Sequence, residues 1–510
     1  MSKQFDFTRL FIFDLANNHQ GDVGHGINII KGIADVVKKH KVRGVVKFQF
    51  RELESFIHPE YRQSKENKHI QRFLSTRIPR QGFEDMLAEI RKQGLISACT
   101  PFDEASVDEI MAMGIDIIKV ASCSALDWPL LEKIAQTGKP VIVSTAGMSL
   151  SNIEKLVSFL ENKNVNFAMM HCVAVYPTSF DKLRLNQIEL LRERFPQISV
   201  GFSTHEEPDN YTAVMIALAK GAMLFERHVG LPTAKYKLNA YSSTPQQIDK
   251  WITAYEHAVQ SCGGENRSPG LPEEIESLRS LSRGVFAKKE LKKNQKIKRS
   301  DVFFAMPLLD EQLTSGDWHE WLVADKKYKA NEKISNSLSN LAVPSSQLVY
   351  QLLLHVKGML NNARIFIGAD SAVEISHHFG LERFREFGCV IVNCINRAYA
   401  KKLVILLPRQ KHPYHYHKIK EETFQLLYGD MEVEIEGVKT KMDLGDTVLV
   451  KPGQWHKFHT LDGAIFEEVS TTHLNDDSFY EDERIAMLPR DKRKTYVPNW
   501  EKNIKENAAK

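Results

Sequence analysis

Cysteine is scarce: six residues in 510, at Cys99, Cys123, Cys172, Cys262, Cys389 and Cys394. So few thiols, so widely scattered, exclude a disulfide framework and point to reduced thiols. Cys389 and Cys394, in GCVIVNCIN, are expected as two buried thiols of a strand. Net charge is nearly absent as well. The 68 Lys and Arg against 64 Asp and Glu leave +4, which gives no ground for a nucleic acid or a membrane surface as partner. No apolar run approaches the roughly 20 residues that span a bilayer. The opening MSKQFDFTRLFIFDLANNHQG has a short apolar run broken by Asp14 and no small-residue cleavage site, so it is not a secretory signal. A cytoplasmic protein is expected. Also missing is a GxGxxG after the first strand-like run, which counts against a dinucleotide-binding open sheet. The length is too great for one core and suggests about three domains.

What is there, in the front half, is alternation. Eight strand-like runs recur: LFIFDLA from Leu10, GVVKFQ from Gly44, LISACT from Leu95, DIIKVAS from Asp116, PVIVSTA from Pro140, NFAMMHC from Asn166, SVGFSTH from Ser199 and AMLFERHV from Ala222. They are nearly continuous apolar runs, as in strands buried on both faces. Segments of helical spacing that end in Gly lie between them. Eight such units in about 260 residues predict an α/β TIM barrel, with a doubly wound sheet as the alternative. Each run ends in polar residues: Asp14; Lys47; Thr100; Lys119 with Ser122; Ser144; His171; Ser203 with His205; Glu226 with His228. A TIM barrel brings all these ends to one mouth. There Lys47, Lys119, Thr100, Ser122, Ser144 and Ser203 suit an anion such as phosphate or carboxylate. His205 and His228, on neighbouring strands, suit a divalent metal. Asp14 suits a base or a group that orients water.

These strand ends resemble the sialic acid synthase (NeuB) family. The resemblance is carried by ANNHQG, VVKFQ, CTPFDEASVD, IIKVASC, GKPVIVSTAGMS, HCVAVYPT, GFSTH and FERHVG, in family order over about residues 8–265. It implies an enzyme that condenses phosphoenolpyruvate (PEP) with an aldose, usually N-acetylmannosamine or a related amino sugar. The products are a 2-keto-3-deoxy (nonulosonic, sialic-type) acid and phosphate. It implies that His205 and His228 hold a divalent ion, commonly manganese, and act in catalysis with Asp14. It further implies that Lys47, Thr100, Lys119, Ser122, Ser144 and Ser203 hold PEP, and that Tyr176 lines the acceptor side. Four departures stand out. Asp14 replaces a Glu, Ala146 is inserted in STAGM, and Thr204 stands where an Asp precedes His205. The loop LPTAKYKLNAYSSTP lacks the Gly-Pro-Asp pattern that meets the amino sugar. The PEP half carries over better than the acceptor half.

SRGVFAKKELKKNQKIKRSDVFFAMPL, from Ser282, resembles the small antifreeze-like (SAF) α+β domain that follows the barrel in this family. The resemblance implies a homodimer in which this domain is swapped over the partner's barrel. Met306 stands where the family has an Arg, so that Arg contact is not expected. The lysine run is expected as a solvated face, with a basic rim at the mouth as the alternative.

Behind it, QLVYQLLLHVKGML leads into short strand-like runs with turns at YGD, EGV, LGD and KPGQ, predicting a small all-β barrel or jelly roll. In HPYHYHKIKEE, His415 and His417 are two apart and share a face. Glu422 follows, and GDTVLVKPGQWH supplies His456. Three His and one Glu make a second metal site. The spacing resembles the cupin motifs. ISHHFGLERFREFG and FEEVSTTH resemble cupin sugar isomerases of the D-lyxose isomerase kind, with Lys420 and one of Glu467 or Glu468 as further polar groups. This implies sugar isomerisation, a sugar-binding sensor or a structural role. The expected plan is a NeuB-like TIM barrel at 1–265, a SAF-like domain at 280–341 and a cupin at 345–500. The rival reading is a non-catalytic barrel carried with a cupin isomerase or sensor.

Overall fold

The computed structural model describes residues 4–63, 66–264, 270–340, 345–474, 476–502 and 504. The chain divides into two compact units, Met1–Ser268 and Pro269–Lys510.

The first unit is a closed barrel of eight parallel strands in sequence order: β1 (Leu10–Asp14), β2 (Arg43–Phe50), β3 (Ile96–Pro101), β4 (Ile117–Val120), β5 (Val141–Ser144), β6 (Phe167–Cys172), β7 (Ser199–Thr204) and β8 (Leu224–His228). Each coincides with one of the eight predicted runs, and β8 closes on β1 with His228 level with Asp14. Local signals set the helices between them. Asp22 caps the helix Val23–His40 by accepting from His25 N. Thr244 and Gln247 form a capping box on Pro245–Cys262. Gly114 ends Glu104–Met113 in the left-handed region.

Strand alternation sorts the apolar residues into two layers. Phe11, Phe13, Val46, Phe48, Val143 and Phe225 pack outward under the helices. Leu10, Ile12, Val45, Ala98, Ile117, Ile142, Ala168, Met170 and Leu224 fill the interior. Each buried side chain of this size contributes roughly 1.5–3 kcal/mol. Gly201 lets β7 and β8 approach, since a Cβ there would sit 2.4 Å from Leu224 O.

The second unit begins with a small part built on β9 (Gly284–Ala287) paired with β10 (Val302–Ala305), and β11 (Leu322–Val323) with β12 (Ser339–Asn340). Val285, Leu291, Ile297, Leu322 and Tyr328 form its core. Lys288, Lys289, Lys292, Lys293, Lys296 and Lys298 are exposed around buried Leu291 and Ile297, a solvated face. The expected boundary between this part and the next lies at residues 341–344, outside the described residues.

Beyond the helix Ser345–Asn362 come two antiparallel sheets. The first contains β13 (Val373–Ser376), β14 (Cys389–Asn396), β15 (Tyr399–Leu406), β17 (Glu422–Gly429), β20 (Thr447–Val450), β22 (Ala464–Thr471) and β24 (Lys494–Val497). The second contains β16 (His415–Tyr416), β18 (Met431–Ile435), β19 (Val438–Met442), β21 (His456–His459) and β23 (Phe479–Tyr480). The all-β fold is as expected. Phe424, Leu426, Val404, Phe458 and Phe466 fill the space between the sheets, while Leu403, Ile405 and Ile465 on the opposite face pack with Leu353 and Val356 of the helix. All six cysteines are free thiols. Cys389 is buried, but Cys394 is exposed at a register shift between β14 and β15, so the expectation of two buried thiols fails for the second.

Candidate active site and metal centre

The interior face of each barrel strand is apolar below and polar at its C-terminal end. Ile12 gives way to Asp14, Val45 to Lys47 and Gln49, Ala98 to Thr100, Ile117 to Lys119, Ile142 to Ser144 and Leu224 to Glu226. The side-chain period of two carries the polar groups inward. The same rule corrects one expectation. His171 stacks on outward-facing Phe202 and bonds Leu183 O through Nε2, so it does not join the mouth. The next residue, Cys172, comes within 3.8 Å of His205 Nδ1 instead.

In the mouth, Lys47 Nζ lies 3.0 Å from Asp14 Oδ2 and 3.3 Å from Glu226 Oε1. Lys119 Nζ donates to Ser144 Oγ at 2.5 Å and stands 3.8 Å from Glu226. Ser203 donates to Glu226 at 2.9 Å. Ser122 Oγ accepts from Ala146 N at 3.0 Å, so the inserted Ala146 holds that hydroxyl. The Thr100 hydroxyl and Glu226 Oε2 are buried without a hydrogen-bond partner.

Burial alone would raise Asp14, but Lys47 and His228 outweigh it and hold the carboxyl down at about 2. Asp14 is therefore an ionised acceptor at neutral pH. Burial lowers Lys119, only partly offset by Glu226, whereas Lys47, facing two carboxylates, is raised. Lys119 is the less neutralised of the two ammonium groups.

His205 and His228 have ring centroids 5.2 Å apart. His205 Nδ1 faces Val173 O at 2.9 Å, which leaves Nε2 for another partner. His228 Nδ1 is 3.6 Å from Asp14 Oδ2 and unpaired. Burial pushes His205 to about 3 and lowers His228, so both are neutral imidazoles with the donor chemistry a divalent ion needs. Tyr176 packs on His205 at 4.3 Å. Sequence reasoning missed Tyr241, 5.3 Å from His228 and 5.1 Å from Tyr176, because it lies in an irregular loop. It also missed Gln49, whose amide donates to Asp14 Oδ2 at 3.1 Å; strand parity with Lys47 was the available signal. Glu226 was counted at the mouth without a role, yet it lies near both lysines and Ser203.

The second unit repeats the pattern. Two residues from inward-facing Phe424, Phe466 and Val404, toward one end of the antiparallel strands, stand Glu422, Glu468 and Lys402. His415 pairs directly with His456 across β16 and β21, and the ligand atoms of His415, His417 and His456 lie within 4.8 Å of one another, all buried. The Nδ1 of each ring donates to a carbonyl: Pro413 O and Gln454 O at 3.1 Å for His415 and His456, and Asp477 O for His417. Each Nε2 is thereby left bare. Glu422 Oε2 sits 3.4 Å from His417 Nε2 and 3.2 Å from His456 Nε2, and both Glu422 Oε2 and His456 Nε2 lack hydrogen-bond partners. This is a fit for a cation.

Burial lowers His415 and His417, the latter to about 4. The other Glu422 oxygen pairs with Lys420, which also reaches Glu468 at 3.2 Å. Glu468 pairs with Lys402 at 2.9 Å, and Glu467, on the opposite face, pairs with Lys401. One of the two Glu faces inward, as alternation requires. Lys402 and His473, 3.3 Å apart, were not foreseen. The cavity among these groups measures about 50 Å³.

The first unit is thus a barrel with two buried lysines and several hydroxyls beside two imidazoles at its mouth, and the second a cupin-type fold with a histidine triad. The NeuB family model matches residues 35–267 and the cupin domain model residues 402–467. A crystal structure of a Chromobacterium violaceum protein of the spore coat polysaccharide biosynthesis protein E type is 40% identical, with TM-score 0.62, covering 65% of this chain and 99% of that one. N,N'-diacetyllegionaminic acid synthase of Campylobacter jejuni is 24% identical over 338 residues, 64% of this chain and 98% of that protein. A protein of Methanocaldococcus jannaschii is 29% identical over 294 residues, 57% of this chain and 82% of its own length. The chain belongs to the NeuB family over its front part and carries a cupin domain behind it.

Proposed function

We propose that the barrel joins PEP to an aldose and releases phosphate, giving a 2-keto-3-deoxy sugar acid. The observation that carries this reading is Lys119: a buried ammonium 3.8 Å from its nearest carboxylate, beside Ser144, Lys47 and the unpartnered Thr100 hydroxyl. Such a cradle suits the phosphate and carboxylate of PEP. Lys47, Thr100, Lys119, Ser122, Ser144 and Ser203 bind it in this reading. C3 of PEP forms the new bond to the aldehyde carbon. Water then adds at C2, and the C2–O bond breaks as phosphate leaves. A divalent ion held by His205 and His228, manganese by family analogy, supplies Lewis-acid polarisation of the aldehyde oxygen. Asp14, ionised and fixed by Lys47 and Gln49, orients an acceptor hydroxyl or water rather than removing a proton. Tyr176 and Tyr241 flank the acceptor.

The part spanning 280–341 is a SAF-like domain in this reading, and the protein a homodimer. Leu271, Ile275, Leu278 and Leu281, on and beside the helix Pro272–Ser280, are 56–67% exposed at helical spacing, which supports a partner surface. The cupin holds a second divalent ion through His415, His417, His456 and Glu422. Its buried Lys420 and Glu468 favour proton transfer on a sugar, as in an isomerase, while its cavity, too small for a sugar, favours a structural ion. Conversion of aldose to ketose without PEP separates the two.

The test is phosphate release from PEP by the purified protein with manganese, across aldoses with and without an N-acetyl group. Release that needs one sugar and disappears in His228→Ala is the expected result. Absence of release with every sugar sinks the reading.

A further inference from the structure

Arg51 stands just past the end of β2 as a cation that no carboxylate pairs with among the described residues. Its guanidinium lies between two rings, 3.6 Å from the Phe102 centroid and 4.0 Å from that of Phe73. One hydrogen bond holds it, to Gln49 Oε1 at 3.2 Å, and its Nε is buried and unpaired. Its neighbours differ. Arg62 and Arg77 pair with Glu54 at 2.9 and 3.5 Å, and Arg80 pairs with Glu84 at 2.9 Å and Glu109 at 3.2 Å. Burial pushes Arg51 down to about 10, which leaves it charged at neutral pH.

Burying a charge without a partner is costly, so such a group is usually completed by a ligand or a partner. With both faces of the guanidinium covered, what remains is its edge, the N–H fork that matches a carboxylate or phosphate. Arg51 lines a cavity of about 290 Å³ together with Gln49, His19 and Arg77; Glu52 and Glu109 also line it, the latter paired with Arg80. That volume is at the lower end of small-molecule sites. Gln49 also touches Asp14, so the cavity starts beside the group that would meet the acceptor.

We propose that this cavity takes the end of the acceptor far from its aldehyde, and that Arg51 selects an acceptor bearing an anionic group there, a carboxylate or a phosphate. The inference rests on the synthase reading and narrows its substrate class. Gln49 couples the two ends: its carbonyl accepts from Arg51 and its amide donates to Asp14.

The test is PEP consumption by the full chain with manganese, using paired aldoses: N-acetylmannosamine and mannose against their 6-phosphates, and mannose against a hexuronic acid. Wild type, Arg51→Met and Arg51→Lys are compared. The expected result is a kcat/KM for one charged acceptor about a hundredfold above its neutral partner. Arg51→Met erases that preference through the acceptor KM, Arg51→Lys restores part of it, and the KM for PEP holds. Equal or better use of neutral aldoses, or a preference that survives Arg51→Met, overturns the inference. So does a rise in the KM for PEP in Arg51→Met, which would assign Arg51 to the PEP cradle. If Arg51→Met is inactive with every aldose, Arg51→Lys decides: an unchanged charged-to-neutral ratio overturns the inference, and a reduced ratio upholds it. No consumption by wild type with any aldose is failure of the synthase reading itself, and the inference falls with it.

Discussion

The barrel mouth and the cupin interior use one construction and arrive at different vacancies. In both, an inward-facing apolar register turns polar at one end of the strands. In both, two lysines meet two carboxylates beside buried neutral imidazoles: Lys47 and Lys119 with Asp14 and Glu226, Lys420 and Lys402 with Glu422 and Glu468. The unsatisfied atoms differ. In the cupin they are Glu422 Oε2 and His456 Nε2, acceptors aimed at one point, which call for a cation. In the barrel they are the Thr100 hydroxyl, Glu226 Oε2 and His228 Nδ1, alongside a lysine whose nearest carboxylate is 3.8 Å away. That mixture calls for an anion and a cation together. Unpaired buried atoms therefore carry information that the lists of charged residues, equal in the two sites, do not.

The sharpest way to break the comparison is to remove one vacancy and watch the other. Lys119→Met is expected to lower PEP turnover by about a thousandfold, with the metal content per chain, read by elemental analysis, unchanged from wild type. Loss of both would show that the sites are not separate. The reciprocal change, His415→Ala with His456→Ala, removes the cupin ion. Chelation or that variant should lower the stability of the second unit by about 3 kcal/mol, read by thermal unfolding with and without metal. Barrel turnover should hold within about threefold, as for sites that share no partners.

Acid sharpens the contrast. Burial depresses His412 to about 3 and His417 to about 4, and holds His378 and His415 well below the ordinary value near 6.5. In each case the unfolded chain binds the proton first. Stability from these groups is complete above pH 6.5 and falls as pH drops toward 4, by about 1.4 kcal/mol per group per unit. The second unit adds His355, His377 and His473 to these four, against His19, His25, His171, His205 and His228 in the barrel. In metal-free protein, hydrogen exchange should show the second unit opening first between pH 6 and 4; barrel peptides opening first would contradict this. The smallest effect is at the acceptor side. Tyr176→Phe and Tyr241→Phe should raise the acceptor KM by roughly threefold to tenfold without moving that for PEP.

The two sites were not equally legible in the sequence. The candidate cupin ligands fall between His415 and His456, two of them on paired strands, so a local pattern exposes them. The barrel residues are spread from Asp14 to His228 and were found only through the rule that parallel strands end at one mouth. Strand parity decided the details. It placed Lys47 and Gln49 together and turned His171 outward. It also brought Lys402 and Glu468 inward and left Glu467 with Lys401. Tyr241 and the stacking of Arg51 between Phe73 and Phe102 depend on loops whose path no periodicity reports.

The most direct measurement follows the bridging oxygen of PEP. PEP labelled with oxygen-18 between C2 and phosphorus is turned over with manganese and the best aldose of the panel, and the released phosphate is weighed by mass spectrometry. Condensation with C2–O cleavage places the label in phosphate and an unlabelled keto oxygen in the new sugar acid. Unlabelled phosphate, with the label kept in pyruvate, would mean cleavage at phosphorus and contradict a carbon–carbon bond-forming barrel.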